Sequence, residues 1–333
     1  MRTPKTLATS LLSLSAAALL ALSAAGAASA APAPGKAPTE TSAVSSHTVV
    51  ETGGAEYWTA ERMRNAIPGD VLAEKAKQRG ANSKAALNRP AEAGTPSTVE
   101  AQAPSLQAEA VRPKANDSEE TVKHIGKVFF TLGGANYVCS GNSVSSANKS
   151  TVTTAGHCVN EGPGAFASKF TFVPAYSDGS APYGMWTADA LYAPTQWSSG
   201  GDSTYDTGFA VMDSLNGQKL ADVVGASGVQ FNAERGLAYK AFGYPAAPPF
   251  NGESLKSCSG TATDDPYNPQ YNTQGIPCNM TGGSSGGPWF IGSSSTGYQN
   301  SINSYGYGSN STMMYGPYWG SVIQQTYATA AGA

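Results

Sequence analysis

From about residue 121 to the C-terminus, apolar residues come in short runs separated by clusters of Gly, Ser, Asn and Pro. Lys127–Leu132, Thr151–Thr154, Phe170–Val173, Phe209–Met212, Ala238–Phe242 and Pro288–Ile291 are each four to six residues long. Such runs are too short for stable helices but have the length of strands, and the polar clusters between them are turns. The rhythm predicts an all-β unit, a sandwich or small barrels, over residues 118–333, with one closing helix over Val322–Ala331. A hydrophobic fraction of 40% supplies a core, and 38 glycines suit a loop-rich β protein. The net charge of -3 leaves no basic footprint for nucleic acid.

The N-terminus reads differently. Arg2 and Lys5 precede an apolar run, roughly Leu11 to Leu22, and then the small-residue site Ala28-Ser29-Ala30. This is the pattern of a secretory signal peptide over residues 1–30. The run is shorter than the roughly 20 residues needed to span a bilayer. The expectation is a secreted, extracellular protein with no membrane attachment after processing. Residues 31–117 are rich in Ala, Pro, Glu and Lys and hold no Cys. Glu56–Lys77 carries a helical pattern, with Met63, Ile67, Val71 and Leu72 on one face and an interruption at Pro68. Residues 78–117 read as linker. Between a signal peptide and a β-rich domain, the whole stretch reads as a pro-segment.

Export gives the cysteines a meaning. Cys139, Cys158, Cys258 and Cys278 are an even set in an exported chain, which points to disulfides. Three pairings are possible. The local one, Cys139–Cys158 with Cys258–Cys278, closes two short loops. The spacings lack the C-x-x-C pair of a zinc site. Asp264-Asp265 reads as a solvated acidic turn, so neither metal nor cofactor is expected.

A serine hydroxyl needs a base beside it, and the base needs an orienting group. The chain has three histidines: His47 in the pro-segment, His124 at the edge of the β unit, and His157. His157 sits in Thr154-Ala155-Gly156-His157-Cys158, directly after a β-rich run. Gly282-Gly283-Ser284-Ser285-Gly286-Gly287-Pro288 follows later, leading into the apolar Trp289-Phe290-Ile291. These two motifs resemble the histidine and nucleophile motifs of the trypsin and chymotrypsin family of serine peptidases. The third member lies between them: Asp206, before the apolar strand Phe209–Met212, is preferred over Asp202. The order His, Asp, Ser matches the chymotrypsin type. Gly208 and Gly243-Tyr244-Pro245 resemble the glutamyl-endopeptidase branch.

The resemblance implies two six-stranded antiparallel β-barrels with a C-terminal helix. Ser285 is then the nucleophile, His157 the base and Asp206 the orienting carboxylate, with the N–H groups of Gly283 and Ser285 as the oxyanion hole. Ser284 is the nearest competitor as nucleophile. The chain departs from the family in two places. Ser284 stands where trypsin-like zymogens carry the aspartate that receives a freshly cut N-terminus, so maturation through that ion pair is not expected. Asn279 stands at the floor of the primary pocket and offers no carboxylate for Arg or Lys. Asn303 replaces the pocket histidine of glutamyl endopeptidases. Ser304, Tyr305 and Gly306 are expected to line the cleft beside an extended peptide. The implied activity is endopeptidase hydrolysis of a protein or peptide substrate by a monomer. Two alternatives are an inactive homologue that binds peptide or cell-surface material, and an esterase using the same site.

Overall fold

Ile125–Leu132 shows how this sequence makes a barrel. Its side chains alternate, so that Val128, Phe130 and Leu132 enter one apolar cluster while Ile125 and Phe129 enter another on the opposite face. All but one of its eight residues are buried. The computed structural model describes residues 43–49, 53–80, 94–105, 119–308 and 310–333; the expected signal peptide, residues 1–30, lies outside them.

The strands in chain order are β1 (Val44–Thr48), β2 (Ile67–Pro68), β3 (Ser97–Val99), β4 (Ile125–Leu132), β5 (Ala135–Val144), β6 (Thr151–Thr154), β7 (Ser168–Pro174), β8 (Trp186–Pro194) and β9 (Gly208–Met212). They continue as β10 (Val229–Phe231), β11 (Ala238–Gly243), β12 (Lys256–Thr261), β13 (Thr263–Asp264), β14 (Thr273–Pro277), β15 (Pro288–Ile291), β16 (Gln299–Ile302) and β17 (Met313–Pro317). The helices are α1 (Gly54–Tyr57), α2 (Ala60–Arg64), α3 (Asp70–Gly80), α4 (Gly156–Val159), α5 (Thr195–Gly200), α6 (Leu220–Val224) and α7 (Ser321–Ala331).

The first barrel closes: β8-β7-β4-β5-β6-β9 is a continuous antiparallel path, and β9 pairs back onto β8. In the second half, β12-β11-β15-β16 form one sheet and β14-β17 belong to another. The Cys258–Cys278 disulfide ties β12 to the end of β14, and a bridge between Tyr305 and Tyr315 joins β17 to the chain leaving β16. Six strands thus ring a smaller core of Tyr239, Ala241, Ile276, Trp289 and Met314. The fold is the all-β, chymotrypsin-like one expected, with its C-terminal helix. That helix buries Val322, Ile323, Thr326, Tyr327 and Ala330, the spacing of one helical face. Its Tyr327 meets Phe209 and Phe231 at 5.9 and 5.2 Å.

The upstream residues depart from expectation. The compact unit begins at Ser42, and the described part of residues 42–117 packs with the β domain. β1 adds to the edge of β8, and β3, within the stretch read as linker, adds to β10. Glu56–Lys77 is not one interrupted helix but α1, α2, β2 and α3 in turn. Ile67 and Val71 are exposed; the buried residues of α3 are Leu72, Ala73 and Ala76. Trp58 is buried against Phe129, its indole N–H donating to the Lys169 carbonyl at 2.8 Å.

Candidate active site

The end of β6 delivers His157. Ala155 is the extended residue that caps α4, so the imidazole leaves the strand at a fixed angle. Cys158 bonds to Cys139 of β5, which pins this turn to the neighbouring strand. Asp206 follows the short turn Ser203–Tyr205, just before β9. One of its carboxylate oxygens accepts the His157 backbone N–H at 2.8 Å, and the other accepts Nδ1–H at 2.8 Å. The Ser304 hydroxyl donates to that second oxygen at 2.5 Å. Asp206 and His157 are both buried. Burial pushes the Asp206 carboxyl up, but the charge and hydrogen bonds of His157 and the Ser304 bond outweigh it and hold it below the usual carboxylate value. Nδ1 is thus engaged with Asp206, and Nε2 has no hydrogen-bond partner among the described residues. Asp202, the rival, instead caps the Ser203–Tyr205 turn through the Thr204 N–H.

The glycine-rich loop stands opposite. Gly283 has φ +94°, a conformation closed to ordinary side chains, and a Cβ on Gly286 would collide with Thr154, Ser140 and Ala155. The loop carrying Ser285 is therefore seated directly on the β6–α4 turn that carries His157. The N–H groups of Ser284, Gly286 and Gly287 donate to Thr281, Asn303 and Ser284 carbonyls. Those of Gly283 and Ser285 find no acceptor among the described residues. The Ser284 hydroxyl donates to Thr281 at 2.7 Å, whereas that of Ser285 makes no such bond.

Ser140, which sequence reasoning missed, holds this loop from the first barrel. Its N–H donates to the Ser285 carbonyl at 2.7 Å, its hydroxyl donates to the Gly283 carbonyl at 2.9 Å, and the same hydroxyl accepts the Tyr244 N–H. Its place directly after Cys139 was the available signal.

The residues expected to line the pocket fall in different surroundings. Asn279 is exposed. The Asn303 amide donates to the Phe242 and Ser284 carbonyls, and its oxygen accepts the Trp289 indole N–H. With all three contacts internal, it braces the nucleophile loop from behind. Ser304 turns its hydroxyl to Asp206. Tyr305 stacks on Tyr315 at 5.3 Å and shares its hydroxyl with Thr273 and Asp265. Gly306 packs beside Ser311. Asp264 pairs with Arg235, and Asp265 accepts from Tyr305, Tyr307 and two backbone N–H groups. Both disulfides follow the local pairing. Among the described residues, no helix is long and apolar enough to cross a membrane.

No family model matches the sequence. The chain is similar to the protease Anisep of Arthrobacter nicotinovorans, with 80% identity, 65% of this chain and 99% of that one covered, and a TM-score of 0.65. It is similar to the thermostable serine protease AL20 from an extremophilic microorganism, with 52% identity, 63% and 98% coverage and a TM-score of 0.62. A Glu endopeptidase structure shares the fold at 20% identity, with 62% and 90% coverage and a TM-score of 0.50. A segment of 161 residues is 28% identical to an extracellular metalloprotease of Bacillus subtilis (strain 168), covering 48% of each chain, so the match spans about half the length of that curated relative. The name of that relative implies a metal, which the residues here do not fit. The one group of His, Cys, Asp and Glu near enough to share an ion, among the described residues, is Cys139, His157 and Cys158. Both sulfurs are joined in a disulfide and His157 Nδ1 is bonded to Asp206, so no thiolate is free to bind.

Proposed function

The chain belongs to the chymotrypsin-like serine proteases, which are serine-type endopeptidases, and on that premise we propose that it is secreted and cleaves polypeptides as a monomer through an acyl-enzyme on Ser285. His157 Nε2 takes the Ser285 proton as Oγ attacks the scissile carbonyl carbon. The oxygen of the tetrahedral intermediate becomes negative and is received by the N–H groups of Gly283 and Ser285. Its collapse breaks the C–N bond, and His157 returns the proton to the leaving amine. Water, deprotonated by the same imidazole, then hydrolyses the ester. Asp206 remains ionised, fixes the tautomer and stabilises the imidazolium.

The observation that carries this reading is the double hydrogen bond of Asp206 to His157, with Nε2 left without a partner. The unengaged N–H groups of Gly283 and Ser285 support it. Domain limits follow: a signal peptide over residues 1–30, a pro-segment over 31–117 and the peptidase over 118–333. The test is fluorophosphonate labelling of the secreted protein with mass mapping of the label, alongside hydrolysis of a mixed peptide library and of a simple ester. Label on Ser285, lost in Ser285→Ala and His157→Ala together with peptide hydrolysis, is expected. Undiminished hydrolysis by Ser285→Ala rejects the mechanism. Turnover of ester but not peptide identifies an esterase, and absence of both identifies an inactive homologue.

A further inference from the structure

Lys127 is out of place in β4. The residues two before and two after it, Ile125 and Phe129, enter an apolar cluster with Tyr176, Tyr244 and Leu255. The Lys127 side chain shares their face of the strand and is 3% exposed. Its ammonium lies 3.8 Å from one Glu253 carboxylate oxygen and 4.2 Å from the centre of the Tyr176 ring. The other Glu253 oxygen accepts the Tyr176 hydroxyl at 2.8 Å, and the Glu253 carbonyl accepts the Asp178 N–H at 2.9 Å. Lys127 is in β4, and Tyr176 and Asp178 follow β7, so all three belong to the first barrel. Glu253 belongs to the second, in the loop Tyr244–Leu255 between β11 and β12. The start of that loop lies against the nucleophile loop. The N–H groups of Ala246 and Ala247 donate to the Gly282 carbonyl at 2.6 and 3.2 Å, and the Thr281 hydroxyl donates to the Ala247 carbonyl at 2.7 Å. A Cβ on Gly252 would stand 2.8 Å from the Ala246 Cβ and 3.3 Å from the Lys127 Nζ. One glycine therefore separates the ion pair from the residue that grips Gly282.

We propose that Lys127, Tyr176 and Glu253 are positioning residues for the oxyanion hole, fastening the Tyr244–Leu255 loop to the barrel that carries His157. This rests on the assignment of Ser285, His157 and the Gly283 donor made above. The Gly282 carbonyl and the Gly283 N–H belong to one planar trans peptide, so they point in opposite directions. Holding the carbonyl with the Ala246 and Ala247 N–H groups aims the N–H at the oxygen of the tetrahedral intermediate. The aim is only as firm as the loop that supplies those two donors, and Glu253 is where that loop is tied down. Stability does not account for charges at this place, because desolvating a buried pair cancels most of its attraction. Direction does account for them. An ammonium, a phenol and a backbone N–H converge on Glu253 and leave it one location, whereas apolar side chains of the same volume would fill the space without fixing the loop. The hole is used more strongly by the oxyanion than by the substrate carbonyl, so loosening it lowers kcat and spares KM.

The test uses the secreted enzyme, matched in length by mass, in wild-type form and as Glu253→Gln, Tyr176→Phe, the double variant and Glu234→Gln. Glu234 is exposed, between β10 and β11, and serves as the control for loss of a carboxylate. Assays run at pH 7, below the value of about 8 to which burial lowers Lys127, so its ammonium is charged. Two readouts are taken per titrated site: kcat and KM on one peptide, and the affinity of a peptidyl boronic acid of the same sequence, whose adduct with a serine is tetrahedral. Glu253→Gln should lower kcat about tenfold, a part of the roughly 10²–10³ that losing an oxyanion donor costs, with KM within about twofold. Boronate affinity should fall by the same factor as kcat. Tyr176→Phe, which removes a single hydroxyl and keeps the ring in the core, should show a smaller fall of the same kind and carries the test if Glu253→Gln does not fold. The double variant should lose no more than Glu253→Gln, since both act through one attachment. Glu234→Gln should match wild type. Unchanged kcat in folded Glu253→Gln and Tyr176→Phe refutes the proposal and leaves the Ser285 assignment standing. A rise in KM at constant kcat, or a fall in kcat with boronate affinity intact, refutes the role in the oxyanion hole. If wild type neither turns over peptide nor binds the boronate, the active-site reading fails and the proposal falls with it.

Discussion

The two disulfides offer a matched pair of perturbations. Cys139–Cys158 and Cys258–Cys278 have sequence separations of 19 and 20. In the chain-entropy model, loops of about this length each stabilise by about 3 kcal/mol, so the entropic loss on removing either bridge is the same. Their surroundings differ. Cys139 and Cys158 are wholly buried, and converting both to Ala leaves space where the sulfurs were, adding about 1 kcal/mol. Cys158 follows His157, and Cys139 precedes Ser140, which holds the Gly283 and Ser285 carbonyls. That bridge fixes the base relative to the nucleophile loop. Cys258–Cys278 ties β12 to the end of β14 and adjoins neither His157 nor Ser140 in the chain. Cys139→Ala/Cys158→Ala should therefore lower kcat about 10²-fold per folded molecule, the effect of misplacing a reacting group by about 1 Å. Cys258→Ala/Cys278→Ala should leave kcat within about twofold, because the His157–Asp206–Ser304 bonds do not pass through it. Urea titration followed by tryptophan fluorescence gives the stability of each. Titration of the site with a fluorophosphonate gives the competent fraction, and turnover is divided by it at equal chain length. Equal kcat losses in the two variants would refute the claim that the first bridge positions the base.

Asp206→Asn should lower kcat by about 10⁴ with little change in KM, because the amide favours the wrong imidazole tautomer; a steady-state comparison on one peptide decides it. Ser304→Ala removes a hydrogen bond to a buried carboxylate, a loss of about 1.5–3 kcal/mol, and should raise the pH at which acid unfolding begins. The sign follows from Asp206. A carboxyl held below its unfolded value contributes stability above that value and loses it as pH falls through the folded one, so raising the folded pKa moves the loss upward. Lys127 is buried 3.8 Å from Glu253, and burial lowers its ammonium to about 8 from 10.5. The unfolded chain then holds one more proton between those values, so wild-type stability should gain about 1.4 kcal/mol per pH unit there from this group. Lys127→Met should abolish that gain in urea titrations run across this pH range.

The barrels and the motifs of the candidate site were legible because their signals are local. A strand of four to six apolar residues declares itself, and so do a histidine before a half-cystine and a serine among glycines whose backbone must curl. The surroundings of Asn279 and Asn303 were not legible. The sequence distance from Ser285 places both near the pocket, but only the fold shows that Asn303 faces Phe242, Ser284 and Trp289. The face of α3 was misjudged for a stated reason. Counting helical turns through Pro68 puts Ile67 and Val71 with Leu72, yet Pro68 ends one segment and α3 starts afresh at Asp70, with its own phase. β1 and β3 carry little apolar patterning of their own. They are strands because β8 and β10, far along the chain, offer open edges.

The candidate site draws its groups from both barrels. His157 and Asp206 come from the closed barrel and Ser285 from the second one, and Ser140 is the hydrogen-bonded link between them. A cleft between two barrels is open along its length, since neither barrel's strands cross it. α3 touches both sides at once: Leu72 and Ala76 reach the Cys139–Cys158 bridge of the first barrel, and Asp70 and Lys77 reach Gly282 and Tyr305 of the second.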